Sequence, residues 1–199
     1  MMVHFAQSNY AGGKKEISLI AVSGSMLHDL RTDLVRRAMV ADATHMLFLD
    51  DDMQFPVDLL NRLLAHNKPV VGCNYSRRCI PPIPTSHGLD DKPVYTRPDS
   101  TGLESVAHIG TGVMLIDMRV FEHLDATLGL EAMPWFQFGW TDLNHPDKPP
   151  RPEGEDVYFC RKLRSAGVPL YVDHDVSKNV GHLGEWEYRN EHCQPEDAN

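Results

Sequence analysis

The 199-residue chain has no cysteines at CxxC spacing; its four, Cys73, Cys79, Cys160 and Cys193, stand far apart. That argues against a zinc ribbon or a dithiol redox centre and fits reduced thiols packed as small hydrophobes. No apolar run approaches the ~20 residues that span a bilayer, and the opening "MMVHFAQSNYAGGKK" lacks the apolar stretch of a signal peptide. The expectation is an intracellular, cytoplasmic protein with no transmembrane segment. Excess positive charge is missing as well: 19 Lys and Arg against 28 Asp and Glu give a net charge of −9. Generic binding of polyanions needs clustered cations, so a basic groove could come only from "NYSRRC" (74–79) or "FCRKLR" (159–164). Internal repeats and low-complexity tracts are also lacking.

The rest is an ordinary globular composition, 42% hydrophobic and 24% charged, in a length that suits one domain, 1–199. "EISLIAV" (16–22), "HMLFL" (45–49), "PVVGC" (69–73) and "PLYVD" (169–173) are short apolar runs of the kind that form strands covered on both faces. Between the first two, Leu30, Leu34, Ala38 and Ala41 recur at helical spacing, with Arg31, Asp33, Arg36 and Arg37 mostly off that stripe. A second helix is predicted from Pro56 at its first position and Val57, Leu60, Leu63 and Leu64 on its buried side. Strands alternating with helices predict a mostly parallel sheet with right-handed crossovers. In the second half, "PVYTR", "LESVAHI" and "GTGVMLID" (110–117) read as strands, the last with a turn before it. "MRVFEHL" reads as a short helix, and "EGEDVYFCRKLRSAGVP" as a helix with acids at its start, bases toward its end and Gly167 closing it. Residues 125–152, rich in Pro and aromatics, form a long loop of the kind that is functional or mobile.

"FLDDDM" (48–53) places three carboxylates directly behind a buried strand. In extended chain Asp50 and Asp52 share one side and Asp51 faces the other. Two carboxylates ~5 Å apart repel by about 3 kcal/mol at an effective dielectric of 20. A divalent cation with oxygen ligands, Mg2+ or Mn2+, would relieve that repulsion. So, in part, would the helix N-terminus that follows, and a solvated turn would need no relief. In open α/β sheets ligands bind beyond the carboxyl ends of strands, which is where the triplet falls.

"THMLFLDDDMQFPVDLLNRLL" resembles the Asp-x-Asp segment of GT-A fold glycosyltransferases, family 2-like enzymes in particular. "GTGVMLIDMRVF" is similar to the strand and turn those enzymes place beside the donor sugar. "EGEDVYFCRKLRSAG" is similar to their Glu-Asp motif on the acceptor side, and "VDHDVSKNVGHLG" to their last strand and metal-binding histidine. The match runs from about residue 16 to 184. It implies a GT-A-like α/β fold with a mostly parallel sheet and a shortened N-terminal nucleotide-binding part, "MMVHFAQSNYAGG" being a remnant of the first βα unit. Residues 16–75 would form the donor and metal half, 92–184 the acceptor half, 125–152 a candidate lid and 185–199 a tail.

The resemblance also implies roles. Asp50, Asp52 and His182 would ligate Mn2+ or Mg2+; Arg31, Asp51, Gly110, Thr111 and Gly112 would bind the nucleotide-diphosphate sugar. Asp156 would act as general base on the acceptor hydroxyl, with Glu155 beside it, in an inverting transfer. The acceptor, whether saccharide, protein, lipid or modified nucleobase, is not specified. Two other readings stay open: a metal-dependent phosphoryl or nucleotidyl hydrolase, and a non-catalytic nucleotide-sugar binding domain. Among further candidates, His174 is an alternative ligand, and Arg77 and Arg78 could meet a pyrophosphate or an anionic acceptor. Trp135, Phe136, Phe138 and Trp140 could form a sugar-binding face or fold back onto the core.

Overall fold

The computed structural model describes residues 2–6, 9–11, 14–129, 133–140 and 149–194. In chain order the elements are β1 (Met2–Ala6), β2 (Asn9–Ala11), β3 (Lys14–Glu16), β4 (Leu19–Ser23), α1 (Leu27–Val40), β5 (His45–Asp50), β6 (Met53–Gln54) and α2 (Leu59–Ala65). These are followed by β7 (Val70–Gly72), β8 (His87–Gly88), β9 (Leu103–His108), β10 (Val113–Asp117), α3 (Arg119–Leu128), β11 (Gly139–Trp140) and β12 (Pro152–Glu153). The remainder is α4 (Glu155–Ser165), β13 (Leu170–Asp173), α5 (His174–Ser177), β14 (Gly181–Leu183) and β15 (Glu187–Arg189).

Eight strands form the central sheet, in the order β4-β1-β5-β10-β7-β13-β9-β8. The mostly parallel sheet expected from the sequence is not what forms: only β7 and β13 pair in parallel, and every other ladder is antiparallel. The cause lies in three inserted strands, of which β9, between β13 and β8, is antiparallel to both. β4, β5, β7 and β13 do run in one direction, as helical crossovers require. However, β1 lies between β4 and β5, and β10 between β5 and β7, each antiparallel to both neighbours. β1 pairs with β4 over five residues, Met2 opposite Ser23 through Ala6 opposite Leu19, and β2 pairs with β3. The N-terminal stretch is thus built of antiparallel strands, not the remnant of a βα unit.

Both faces of the sheet are covered, which explains the continuous apolar runs. Along β5, Met46 and Phe48 join the cluster beneath α1, α3 and α4, with Leu34, Val35, Phe121, Leu124, Phe159 and Leu163. Leu47, between them, joins the opposite cluster with Leu59 and Leu63 of α2, Val71 and Val180. β10 repeats the alternation, Met114 and Ile116 on one side, Val113 and Leu115 on the other. Each fully buried side chain of this size contributes about 1.5–3 kcal/mol.

Three local expectations change. α2 begins at Leu59 rather than Pro56, and Val57 is fully exposed, because the chain turns after Pro56 before it can wind. "PVYTR" makes an isolated bridge, His87 with Pro93, and no strand. The stretch 125–152 is not one loop: it starts inside α3, and β11 pairs with β12 across residues 141–148, which lie outside the described residues. Its aromatics divide. Trp135 and Phe136 are buried, Phe136 edge-on to Phe48 and against Phe159, whereas Phe138 and Trp140 are exposed.

Candidate active site

The co-directional strands set the place. Their carboxyl ends define one edge of the sheet, and the chain leaves that edge from β4 into α1, from β5 into the acidic triplet and from β7 into Tyr75–Arg78. β10 runs the other way, so its entry turn, Gly110–Gly112, reaches the same edge, where the carbonyl of Gly112 accepts from the amide of Asp50 at 3.1 Å. α4 leads back to the start of β13 at the opposite edge, so its first residues, Glu155 and Asp156, also lie at this one. β14 pairs with β6, His182 opposite Met53, and the amide of Leu183 donates to the carbonyl of Asp52 at 2.7 Å.

Asp52 and His182 face each other. His182 Nδ1 lies 2.9 Å from the carbonyl oxygen of Ser76, and Nε2 lies 3.3 Å from Asp52 Oδ2. A carbonyl only accepts, so Nδ1 carries a proton, and in the neutral ring Nε2 turns a lone pair toward a carboxylate. Two acceptors pointed at one another need a proton or a cation between them. Arg78 Nη1 reaches the same carboxylate oxygen at 3.1 Å. The His182 contact, then its charge and that of Arg78, hold the Asp52 carboxyl below its ordinary range against the opposing effect of burial.

Asp50 points elsewhere. Its two oxygens lie 3.4 and 3.3 Å from Arg31 Nη2, and Arg31 Nη1 pairs with Glu155 Oε1. Arg31 is 2% exposed, a burial that the apolar stripe of α1 does not foretell, and its Nε has no hydrogen-bond partner among the described residues. Burial pushes the Asp50 carboxyl up; Arg31 opposes this, while Asp52 and Glu155 add to it. Asp51 is exposed in the turn.

Asp156 is part-buried and has no ion pair among the described residues; its Oδ1 accepts the amide of Val157 at 2.8 Å. Burial, and then the neighbouring Glu155, raise its pKa, with Arg31 and the exposed Arg77 pulling the other way. Tyr75, absent from the sequence-based candidates, joins these parts. Its hydroxyl accepts the amide of Gly112 at 3.0 Å, and its ring meets that of His182 edge-on at 5.4 Å. Burial, with the Asp50 and Asp156 carboxylates adding, keeps the phenol protonated. A Cβ on Gly112 would lie 2.7 Å from the Tyr75 hydroxyl, and one on Gly110 closer still, so close approach and not a left-handed backbone accounts for both glycines. Thr111 between them is 1% exposed, and its hydroxyl has no hydrogen-bond partner among the described residues. The signal for Tyr75 was its position just past the end of β7, the strand next to the one that the GTG turn leads into.

His174 is engaged elsewhere, with Thr96 Oγ1 at 3.0 Å and Glu104 Oε2 at 2.9 Å. Among the described residues no group of three or more His, Cys, Asp or Glu side chains converges as a metal cage. Asp52 and His182 offer one oxygen and one nitrogen. Ions of the Mg2+ and Mn2+ class bind through one or two carboxylates with substrate phosphates and water filling the rest, and the imidazole favours Mn2+ over the oxygen-seeking Mg2+. The facing lone pair and carboxylate therefore fit a cation shared with a ligand.

No family model and no curated protein matches the chain. Among solved structures it is similar to the crystal structure of A197 from STIV, with a TM-score of 0.55 and 15% identity, over 88% of this chain and 80% of that one. At that identity the likeness is one of fold. Among the described residues no helix is long and apolar enough to cross a membrane.

Proposed function

We propose that the protein is a metal-dependent glycosyltransferase that takes a sugar from a nucleotide-diphosphate donor. The observation that carries the reading is the Asp52–His182 pair, whose histidine is held by the Ser76 carbonyl with Nε2 3.3 Å from the carboxylate at the sheet edge. Asp52 and His182 would hold Mn2+ or Mg2+. The cation would neutralise the departing diphosphate as a Lewis acid.

The chain's own residues would do the rest. Asp156, with a carboxyl raised by burial and no cation on it, suits a general base that takes the proton of an acceptor hydroxyl. Attack of the acceptor oxygen on the anomeric carbon, with loss of the nucleoside diphosphate on the opposite face, gives inversion. The acceptor class stays open.

A thermal-shift panel of UDP-, GDP-, CMP- and TDP-linked sugars, with and without Mn2+, tests this. One nucleotide sugar should raise the melting temperature only with metal, and Asp52→Asn and His182→Gln should each abolish the shift while Asp156→Asn retains it. Nucleotide release from that donor should depend on an added hydroxyl acceptor. Equal release without any acceptor would mark a hydrolase, and a shift with no turnover would mark a binding domain.

A further inference from the structure

Each of the two acidic pairs at the sheet edge is divided in the same way. In the first, Asp50 goes to Arg31 and Asp52 to His182 and Arg78. In the second, Glu155 goes to Arg31 and Asp156 keeps only a backbone amide. One guanidinium, 2% exposed, thus holds one member of each pair through different nitrogens. The resemblance to family 2-like enzymes gave Arg31 a place in binding the donor, but a guanidinium so enclosed, with two carboxylates on it, cannot also present itself to a diphosphate.

We infer that Arg31 is a positioning residue, a permanent internal cation that takes Asp50 and Glu155 out of reach of metal and substrate and leaves Asp52 and Asp156 as the working carboxylates. This deepens the glycosyltransferase reading and rests on it for what Asp52 and Asp156 do. The physical reasons are burial and geometry. Four carboxylates gathered at one sheet edge repel, and an enclosed guanidinium relieves the repulsion without the dehydration cost of a second divalent ion. Its planar fork takes Asp50 at the end of β5 and Glu155 at the start of α4, which ties the strand that leads into Asp52 to the helix bearing Asp156. Asp50 is spent on this tie, so one divalent ion is held through Asp52 and His182, with Asp50 no ligand.

Mn2+ binding to the whole chain, followed by the EPR signal of the free ion, tests the assignment. Asp52→Asn should weaken binding by roughly 10–100-fold, whereas Asp50→Asn should change it by less than about threefold. Arg31→Met should tighten it severalfold, because Asp50 is released toward the ion, and Arg31→Lys should return it toward the wild-type value. A merely structural role for Arg31 would lower the melting temperature without tightening Mn2+. Should Arg31→Met fail to fold, Arg31→Met/Glu155→Gln, which removes one of the stranded charges, takes its place. Loss of Mn2+ in Asp50→Asn equal to that in Asp52→Asn would overturn the proposal.

A second measurement needs no metal. In thermal unfolding, Asp50→Asn and Glu155→Gln together should lower the melting temperature by more than the sum of the single drops, since the pair strands a buried guanidinium. Additive drops would overturn the shared role of Arg31. If the wild-type chain binds no Mn2+, the metal-dependent reading fails, and this cycle alone decides for or against Arg31.

Discussion

Gly110 shows how a single atom constrains the site. A methyl group there would run into the hydroxyl of Tyr75, a rigid side chain only 6% exposed. Gly110→Ala should therefore cost about 1–3 kcal/mol as an overpacked core site, measurable by urea denaturation, whereas Gly184→Ala, whose Cβ would come no nearer than 3.0 Å to Arg78 and 3.1 Å to the Tyr188 ring, should cost less. Asp156 gives a prediction with a sign. Its carboxyl titrates higher in the folded chain than in the unfolded one. Its contribution is then most favourable when it is protonated in both states, and stability falls as pH rises from the unfolded value through the folded one. Asp156→Asn, neutral throughout, should melt above the wild type at pH 7.5, and the gap should close as pH drops into the carboxylate range. A gap that stays constant with pH would contradict a raised carboxyl. At this scale the sequence was legible where a motif names a residue type: Asp52, His182, Asp156 and the GTG turn all reach one edge. Arg31 and Tyr75 were not, because their roles depend on which carboxylate or glycine the fold brings to them from 19 to 124 residues away.

At the scale of elements, β5 and β10 were readable because burial on both faces demands an unbroken apolar run, and α4 because its acids, bases and closing glycine mark its ends. Strand direction within the sheet was not, since "VMLID" carries the same run whichever way it is inserted. The mostly parallel sheet followed from counting βα alternations; β1 and β10, wedged between co-directional neighbours, change the ladders without changing that count. The aromatic segment 135–140 was ambiguous for a similar reason, as core and ligand platform call for the same residues. The fold separates them. Phe136→Ala should cost about 3–5 kcal/mol by opening a cavity against Phe48 and Phe159, while Phe138→Ala, which loses an exposed edge contact to His28, should leave stability nearly unchanged. Equal losses on chemical denaturation would contradict that division.

Over the whole molecule, the sheet acts as a scaffold that delivers chemistry to one edge. Strands β4, β5, β7 and β13 end there, the reversed β10 begins there, and α1 and α4 start from it, so residues from 31 to 182 meet without any one element carrying the site. Arg31 stands between the strand that bears the acidic triplet and the helix that bears Asp156, and β14 closes the other side by pairing with β6 behind Asp52. The arrangement has a fixed cation, Arg31, on one flank, and the proposed function would put an exchangeable cation at Asp52 and His182 on the other. The N-terminal strands β1 and β4 extend the sheet beyond β5, with β2 and β3 paired apart from it, where a shortened βα unit had been expected.

The most direct test is anomalous diffraction from crystals grown with Mn2+ and the nucleotide sugar that stabilises the chain. A single manganese peak within bonding distance of Asp52 and His182 Nε2, with Asp50 still on Arg31 and the diphosphate completing the ion's shell, is the expected result. No manganese at that pair, or an ion held at Asp50 with the Arg31 contact broken, would contradict it.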